Sequence, residues 1–534
     1  MSFSFDAGSY RYPSRRRVVF AGNGMVCASQ PLAAQAGVDA LRRGGNAVDA
    51  VLAAAGCLTV LEPASNGLGG DAFAIVWHNG RMYGLNSSGP APALADAAFL
   101  REKYGRMPAH GWYPVNVPGI PAAWAALNGR FGRLSLAETL SAAIGYAEGG
   151  FPVEPVSAKF WQSGCETYSA LGDEFGPWMD TFAPKGHAPR AGEIVRLPQH
   201  GESLREIAET NAESFYRGRL AGKIDAASRA GGGWLRAEDL AEFYPEWVEP
   251  MSVDYRGFTV HELPPNGHGL VVLETLALLS GLEMGSGDAG DVHRQIEAMK
   301  LAYADGLKYI AEPSAMRVAP SELLGREYLA RRRALIGDTA REPEAGDPHC
   351  GGTVYLCAAD GEGNMVSYIQ SNYMGFGSGI VVPGTGIALH DRGCNFSLEE
   401  GAANCLAPGK RPYHTIIPGF LTRNGEAVGP FGVMGAFMQP QGHVQAVMNM
   451  IDYGCNPQEA LDAPRWQWKG GKSIELEPGF DGAIAEELKR RGHEVSVGDP
   501  YEFGRGQIIL RDENGTLCGA TEPRIFPQAG AVPG

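Results

Sequence analysis

The sequence predicts a large protein of mixed class, with helices and strands in both halves of the chain. Two observations carry this expectation. Apolar residues recur at helical spacing over 31–43, 46–58, 118–149, 203–221 and 291–310. Runs rich in β-branched, aromatic and apolar residues, 353–357 and 365–369, flank a tight turn at 361–364. Periodicity alone leaves α/β and α+β both open. Hydrophobic residues make up 44% and charged residues 20% of the 534, so a large core is available and disorder is disfavoured.

In chain order, a small strand near Met25 precedes a helix over 31–43, which the pair Gly44–Gly45 stops. Asn46 caps the next helix. The loop Asn66-Gly67-Leu68-Gly69-Gly70-Asp71 leads into a strand over 72–77. It lacks the Lys-Ser/Thr and the following helix of a phosphate loop, and a tight turn packed on neighbouring backbone is at least as good a reading as a site role. Helical spacing continues over 118–149, interrupted near Gly129, and over 321–336, where Arg331–Arg333 reads as a solvated face. Segment 337–352 is polar and rich in Gly, Pro and acids, the one stretch in the middle that reads as an exposed linker. Beyond it, strands alternate with turns to about residue 387. Helices over 443–451 and 482–491 and a hairpin over 506–520 complete the chain.

The net charge of −15 argues against nucleic acid or an anionic membrane as partner. The cluster Arg15–Arg17 is too short to reverse this. Residues 1–12 lack the basic start and apolar run of a signal peptide, and the most apolar stretch, 50–61, is too short to span a bilayer. Nine dispersed cysteines without a CxxC pair suit free thiols, and the expected location is cytoplasmic. No metal-ligand spacing such as HExxH is present, so neither metal nor other cofactor is expected.

Thr353 opens its strand behind Gly351–Gly352. One reading is ordinary strand and turn chemistry. The other is that the Gly352–Thr353 bond is cut, leaving Thr353 with a hydroxyl nucleophile and a free α-amine, of reference pKa about 8, as its base. The surrounding motifs favour the second. TVYLCAADGEGNMVS, FGSGIVVPGTGIAL, Lys410-Arg411-Pro412, VMNMIDYG, ALDAPRW and CGATEPR follow one another in order, with LEPASNGLGGDAFAIVW and NVPGIPAAWAAL upstream. From Met25 to Arg524 the chain resembles the γ-glutamyltransferase (glutathione hydrolase) family of N-terminal-nucleophile hydrolases. That resemblance implies an α+β, four-layer αββα sandwich. It also implies self-cleavage into a large segment, 1–352, and a small one, 353–534, held together as a heterodimer that could pair into a dimer of heterodimers.

The resemblance assigns further residues. Gly435 and Ala436 stand where the family places an oxyanion-binding Gly-Gly pair, and Ala436 fits only if its φ is not strongly positive. Ser371 stands at the hydroxyl that hydrogen-bonds the nucleophile, with Asn372 beside it. The departures concern substrate recognition. The arginine that binds the γ-glutamyl carboxylate should fall near 95–97, where Asp96 stands instead. The family's serine pair becomes His414-Thr415, its amine-binding acid Asn395, and a preceding glutamine Arg392. Such a site suits an acid lacking an α-amine, gripped in bidentate fashion by Arg392; a plain ion pair is the equal alternative. GDAFAIVW, SNYMGFGSG, FMQPQGHVQ and FGRGQIIL place the closest resemblance with the oxamate amidohydrolase and acylase-like branch. The expected activity is amide hydrolysis of a small carboxylate-bearing substrate, oxamate-like or a dicarboxylic acyl amide. A glutathione hydrolase or γ-glutamyl transferase is the alternative enzyme, and an uncleaved binding protein the alternative of another class.

Overall fold

The computed structural model describes residues 11–12, 16–343 and 352–524, with the backbone alone at Gly352 and Thr353. Most of the expected linker's second half and the Thr353 hydroxyl therefore lie outside the described residues. Two mainly antiparallel sheets stack in the middle. The first runs Gly24–Cys27, Gly352–Asp360, Met365–Tyr373, Asp71–His78, Arg81–Ser87, Glu246–Val248. The second runs Val19–Ala21, Leu517–Thr521, Arg505–Arg511, Glu426–Met434, Gly419–Arg423, Phe258–Glu262, Met251–Tyr255.

Strand alternation sorts the core into three layers of apolar contact. Val354, Leu356 and Ala358 pack against the helices Pro31–Arg42, Ala47–Leu61 and Leu136–Gly149. Their neighbours Tyr355, Cys357 and Ala359 face the second sheet, meeting Phe420, Met434 and Ile509. On that sheet's far side Phe431, Ile508 and Leu510 pack against Gly269–Ser280, Ala289–Tyr309 and Met438–Ile451. Period-two strands buried on both faces thus produce helix, sheet, sheet, helix, the expected α+β layering.

The helix Ala47–Leu61 begins where Asn46 accepts from the N–H groups of Val48 and Asp49 while Asp49 accepts from Asn46. The 203–221 region is not one helix: Pro198–Thr210 stops where Asn211 and Ala212 take φ of +49° and +66°, and the short helix Glu213–Arg217 and the longer Arg219–Ala230 follow. Nor does the 118–149 region break at Gly129. It breaks at Gly132, after which Ser135 and Glu138 form a capping box. The three arginines at 331–333 are not all solvated. Arg333 donates to the carbonyls of Ala277 and Leu278, closing the C-terminus of Gly269–Ser280, and Arg332 donates to Leu301 and pairs with Asp305. Gly269–Ser280 escaped the sequence reading because it is buried nearly all round and so shows no apolar period.

Gly352–Asp360 pairs with Gly24–Cys27 on one side and Met365–Tyr373 on the other. Segments from both sides of the expected cut therefore share one sheet and one core. The described cysteines are unpaired, and no described helix is long and apolar enough to cross a membrane.

Candidate active site

Sequence-distant residues converge where the strands beginning at Gly352, Asp71 and Arg505 meet those ending at Tyr373 and Met434. Gly352 lies opposite Tyr373 and Val354 opposite Gln370, with a register shift between them, so the Thr353 backbone enters the sheet alongside Ser371 and Asn372. The Ser371 hydroxyl accepts from the Tyr373 N–H at 2.8 Å, and Tyr373 takes φ +76° as the strand turns away. The Asn372 backbone is fixed from both sides, its N–H donating to Ser65 and its carbonyl accepting from Asp391. Its fully buried amide has no partner among the described residues.

Across the sandwich the Tyr355 ring packs over Gly432. Two residues further toward the same end stand Thr353 on one strand and Met434 on the other, and Gly435-Ala436 follows Met434. Gly435 has φ +139° and Ala436 φ +48°, so Ala436 occupies the left-handed region against the sequence expectation. The turn holds it there: Gly435 and Ala436 carbonyls accept from Met438 and Gln439, starting the next helix. Neither residue's own N–H has an acceptor among the described residues. Two adjacent uncommitted N–H groups at a fixed turn can receive a developing oxyanion.

Behind Tyr373 lies a buried charged cluster centred on Asp71. Its Oδ2 accepts from His414 Nε2 at 3.0 Å and from Arg392 Nε at 3.4 Å, with His390 Nδ1 at 3.6 Å. Burial pushes the Asp71 carboxyl up, but His390, His414 and Arg392 outweigh it and hold the group down at about 2. Burial, and then Arg392, push His414 down to about 3, so it stays neutral. It donates from Nε2 and accepts from Ile416 at Nδ1. Arg392 donates Nη1 to Thr415 Oγ1 at 2.7 Å, and its guanidinium lies 4.4 Å from the Tyr373 ring centre. Only Nη2 is left without an acceptor among the described residues. The bidentate carboxylate grip expected of Arg392 is therefore not what its placement offers: it braces Tyr373 from behind.

In front of Tyr373 opens a cleft of about 1500 Å³, lined by Tyr373, Met374, Asn395, Phe396, Tyr413 and Phe437 among others. Asn395 lines it, and its Nδ2 is buried and unpartnered among the described residues. His414 and Thr415 lie behind the wall, fully buried, and do not line it. Asp96 caps the helix Ala97–Tyr104 by accepting from Phe99, and Arg101, one turn on, stands at the cleft rim paired with Glu400. Asp391 accepts from Met374 at 3.1 Å, and burial pushes its carboxyl up to about 7.

The sequence reading missed the centrality of Asp71, hidden at the end of a glycine-rich turn. That turn does pack on backbone: a Cβ at Gly69 would lie 2.3 Å from the Ala388 carbonyl, and one at Gly70 2.4 Å from that of Ser371. His443 and Gln441 serve packing. His443 binds Glu262 at 2.7 Å, and Gln441 bonds the backbone of Trp468 and Phe437. Away from the cleft, folding brings His293, Glu297 and His493 close enough to share an ion, a grouping that sequence spacing did not reveal. The two imidazoles already hydrogen-bond each other at 2.8 Å and Lys300 already pairs with Glu297 at 2.7 Å.

Known proteins similar to this chain show its family. The family model for gamma-glutamyltranspeptidase matches residues 33–532, and the chain belongs to that family. It is accordingly an enzyme of the hydrolase class with amidohydrolase relatives. The oxamate amidohydrolase proenzyme of Klebsiella pneumoniae is 35% identical over 520 residues, covering 94% of this chain and 97% of that one. The glutathione hydrolase-like YwrD proenzyme of Bacillus subtilis is 34% identical over 516 residues, covering 94% and 97%. A crystal structure of a cephalosporin acylase from Bacillus halodurans superposes with a TM-score of 0.94 at 57% identity, covering 97% of this chain and 98% of that one.

Proposed function

We propose that this protein is a self-cleaving amidohydrolase that acts on the amide of a carboxylate-bearing acyl group through an acyl-enzyme on Thr353. The observation that carries the reading is the meeting of the Thr353 backbone, Ser371 and the Gly435 and Ala436 N–H groups, which have no acceptor among the described residues, at one end of the sandwich. In processing, the Thr353 hydroxyl attacks the Gly352 carbonyl carbon, the ester formed releases the Thr353 amine, and water resolves the ester. The freed α-amine then serves as base for the same hydroxyl. Attack on a substrate amide makes a tetrahedral oxyanion facing the Gly435 and Ala436 N–H groups, and its collapse expels the protonated amine. Water, activated by the same α-amine, hydrolyses the acyl-enzyme. In this reading Ser371 supplies the hydroxyl that hydrogen-bonds Thr353 once it is freed, and residues 1–352 and 353–534 remain associated as the two subunits.

Asn395 at the cleft wall, in place of an acid, supports an acyl group without an α-amine, because a neutral amide gives an ammonium no charge partner. The aromatic lining and size of the cleft extend the fit from oxamate-like amides to longer dicarboxylic acyl amides. The testing experiment is intact-mass analysis of the wild type beside Thr353→Ala, followed by an amide panel. Two fragments meeting at Gly352–Thr353 in the wild type, one uncut chain in the variant, and turnover only by the wild type are expected. An uncut wild type, or faster turnover of γ-glutamyl amides than of amides lacking an α-amine, contradicts the proposal.

A further inference from the structure

Beside the cleft is a second, smaller cavity of about 320 Å³, lined by Ser65, His110, Phe160, Tyr168, Met374 and Arg505 among others. His110 and Met374 also line the main cleft, so the two spaces adjoin. Arg505 opens the strand Arg505–Arg511 and pairs in register with Met434, the residue before Gly435. Gly504, its neighbour, packs against Gly435 so closely that a Cβ on Gly435 would lie 3.1 Å from the Gly504 Cα. A side chain leaving this strand end starts about two residues from the oxyanion N–H groups.

Arg505 is only 8% exposed, yet its guanidinium has no hydrogen bond or ion pair among the described residues. It lies over Phe160, whose ring centre is 4.8 Å away. Its nitrogens open on the cavity, and a guanidinium with five donors and no acceptor among the described residues is free there to bind an anion. Three acids lie near enough to attract it, yet none hydrogen-bonds it among the described residues. Glu62 accepts from the Ser29 hydroxyl at 2.5 Å, Glu154 caps the helix Pro155–Leu171, and Glu522 pairs with Arg465 and Arg524. Arg392 is likewise bound to Asp71 and Thr415.

We infer that Arg505 holds the distal carboxylate of the substrate's acyl group, the small cavity receiving the end of an ω-carboxyacyl chain whose amide carbonyl lies at Gly435-Ala436. This deepens the amidohydrolase reading and rests on it for the position of the reacting carbonyl. The planar fork of a guanidinium matches a carboxylate with two parallel hydrogen bonds, and Phe160 screens that pair from water. Ser65 and Thr167 supply hydroxyls in the same cavity.

The test separates binding from turnover. Calorimetry measures glutarate against pentanoate on the processed wild type, Arg505→Gln and Arg505→Lys. Turnover is followed on anilides of succinate, glutarate and adipate beside chain-matched uncharged acyl anilides. Expected is glutarate binding weakened about 30-fold or more in Arg505→Gln, with kcat/KM for the carboxylated anilides falling about 100-fold and that for the uncharged ones changing less than about threefold. Arg505→Lys, which keeps charge without the fork, falls between. Melting temperature and fragment masses confirm that each variant is folded and cut. Equal losses on charged and uncharged anilides, glutarate binding indifferent to Arg505, or no glutarate binding by the wild type overturns the inference and leaves the amidohydrolase reading standing if anilides are still cleaved. Arg505-dependent glutarate binding without turnover of any amide upholds the anion site and sinks that reading.

Discussion

At the scale of single residues, the site turns on whether each polar group is already satisfied. Arg392 and Arg505 look alike in sequence, each an arginine amid glycines and small residues. Arg392 is bound to Asp71, Thr415 and the face of Tyr373, whereas Arg505 among the described residues meets an aromatic ring and no hydrogen-bond acceptor. Ala436 shows the same dependence on context. Its φ of +48° is a conformation that alanine tolerates and a β-branched residue does not. Ala436→Gly is expected to keep turnover within about threefold, since glycine holds the same backbone. Ala436→Val is expected to cost about 100-fold in kcat by misaiming one oxyanion donor. Steady-state kinetics on properly cut protein decides, and equal activity of the two variants removes Ala436 from the oxyanion site.

Among elements, the loop Asn66–Asp71 and the strand Met365–Tyr373 act as a pair. The Asn66 side chain closes the helix Ala47–Leu61 by donating Nδ2 to the carbonyls of Leu58 and Glu62, and its Oδ1 accepts from Gln370 Nε2. A Cβ on Gly70 would meet the Ser371 carbonyl at 2.4 Å and Asn372 Oδ1 at 2.7 Å. Gly70→Ala must therefore push the strand end that carries Ser371. We expect about 1–3 kcal/mol of destabilisation together with slowed processing. Gly145, inside a helix where an added Cβ would meet nothing within 4 Å, serves as control. Gly145→Ala should stabilise by about 0.5–1 kcal/mol and leave processing unchanged. Thermal melts and a time course of fragment appearance check both; normal processing in Gly70→Ala separates the loop from the site.

Across the whole molecule, buried ionisable groups set the response to pH. Burial pushes His200 down to about 4 and His414, His443 and His493 to about 3, from an ordinary 6.5. Between those values the unfolded chain binds protons that the native state refuses, so stability falls as pH drops below about 6.5. Asp71, held at about 2, continues the loss below its ordinary 3.8. Asp391 and Glu154, each raised to about 7 with burial as the first cause, act oppositely and soften the slope between about pH 4 and 7. The urea midpoint should therefore fall from pH 6.5 to pH 4, and less steeply in His414→Gln. A midpoint flat across that range contradicts these assignments.

The order of motifs along the chain, a turn-flanked strand behind a glycine pair, and helices with one apolar face were legible in the sequence because each is a local pattern of side-chain chemistry. The family resemblance followed from them, and that resemblance in turn implied the layering. Helix boundaries such as the break at Asn211–Ala212 were not legible, because backbone turns there override an unbroken apolar period. Neither was the helix Gly269–Ser280, buried nearly all round and so without an apolar period. Only the tertiary structure decided which charges are spent and which are free. Asp71, His390, Arg392 and His414 come together from strands and turns up to 343 residues apart, and Arg505 reaches its cavity from the far end of the chain. The sequence alone determined the class of chemistry, since that depends on residue type and order. The substrate-facing wall depends on which side chains remain without partners after packing, and that is a property of the folded whole.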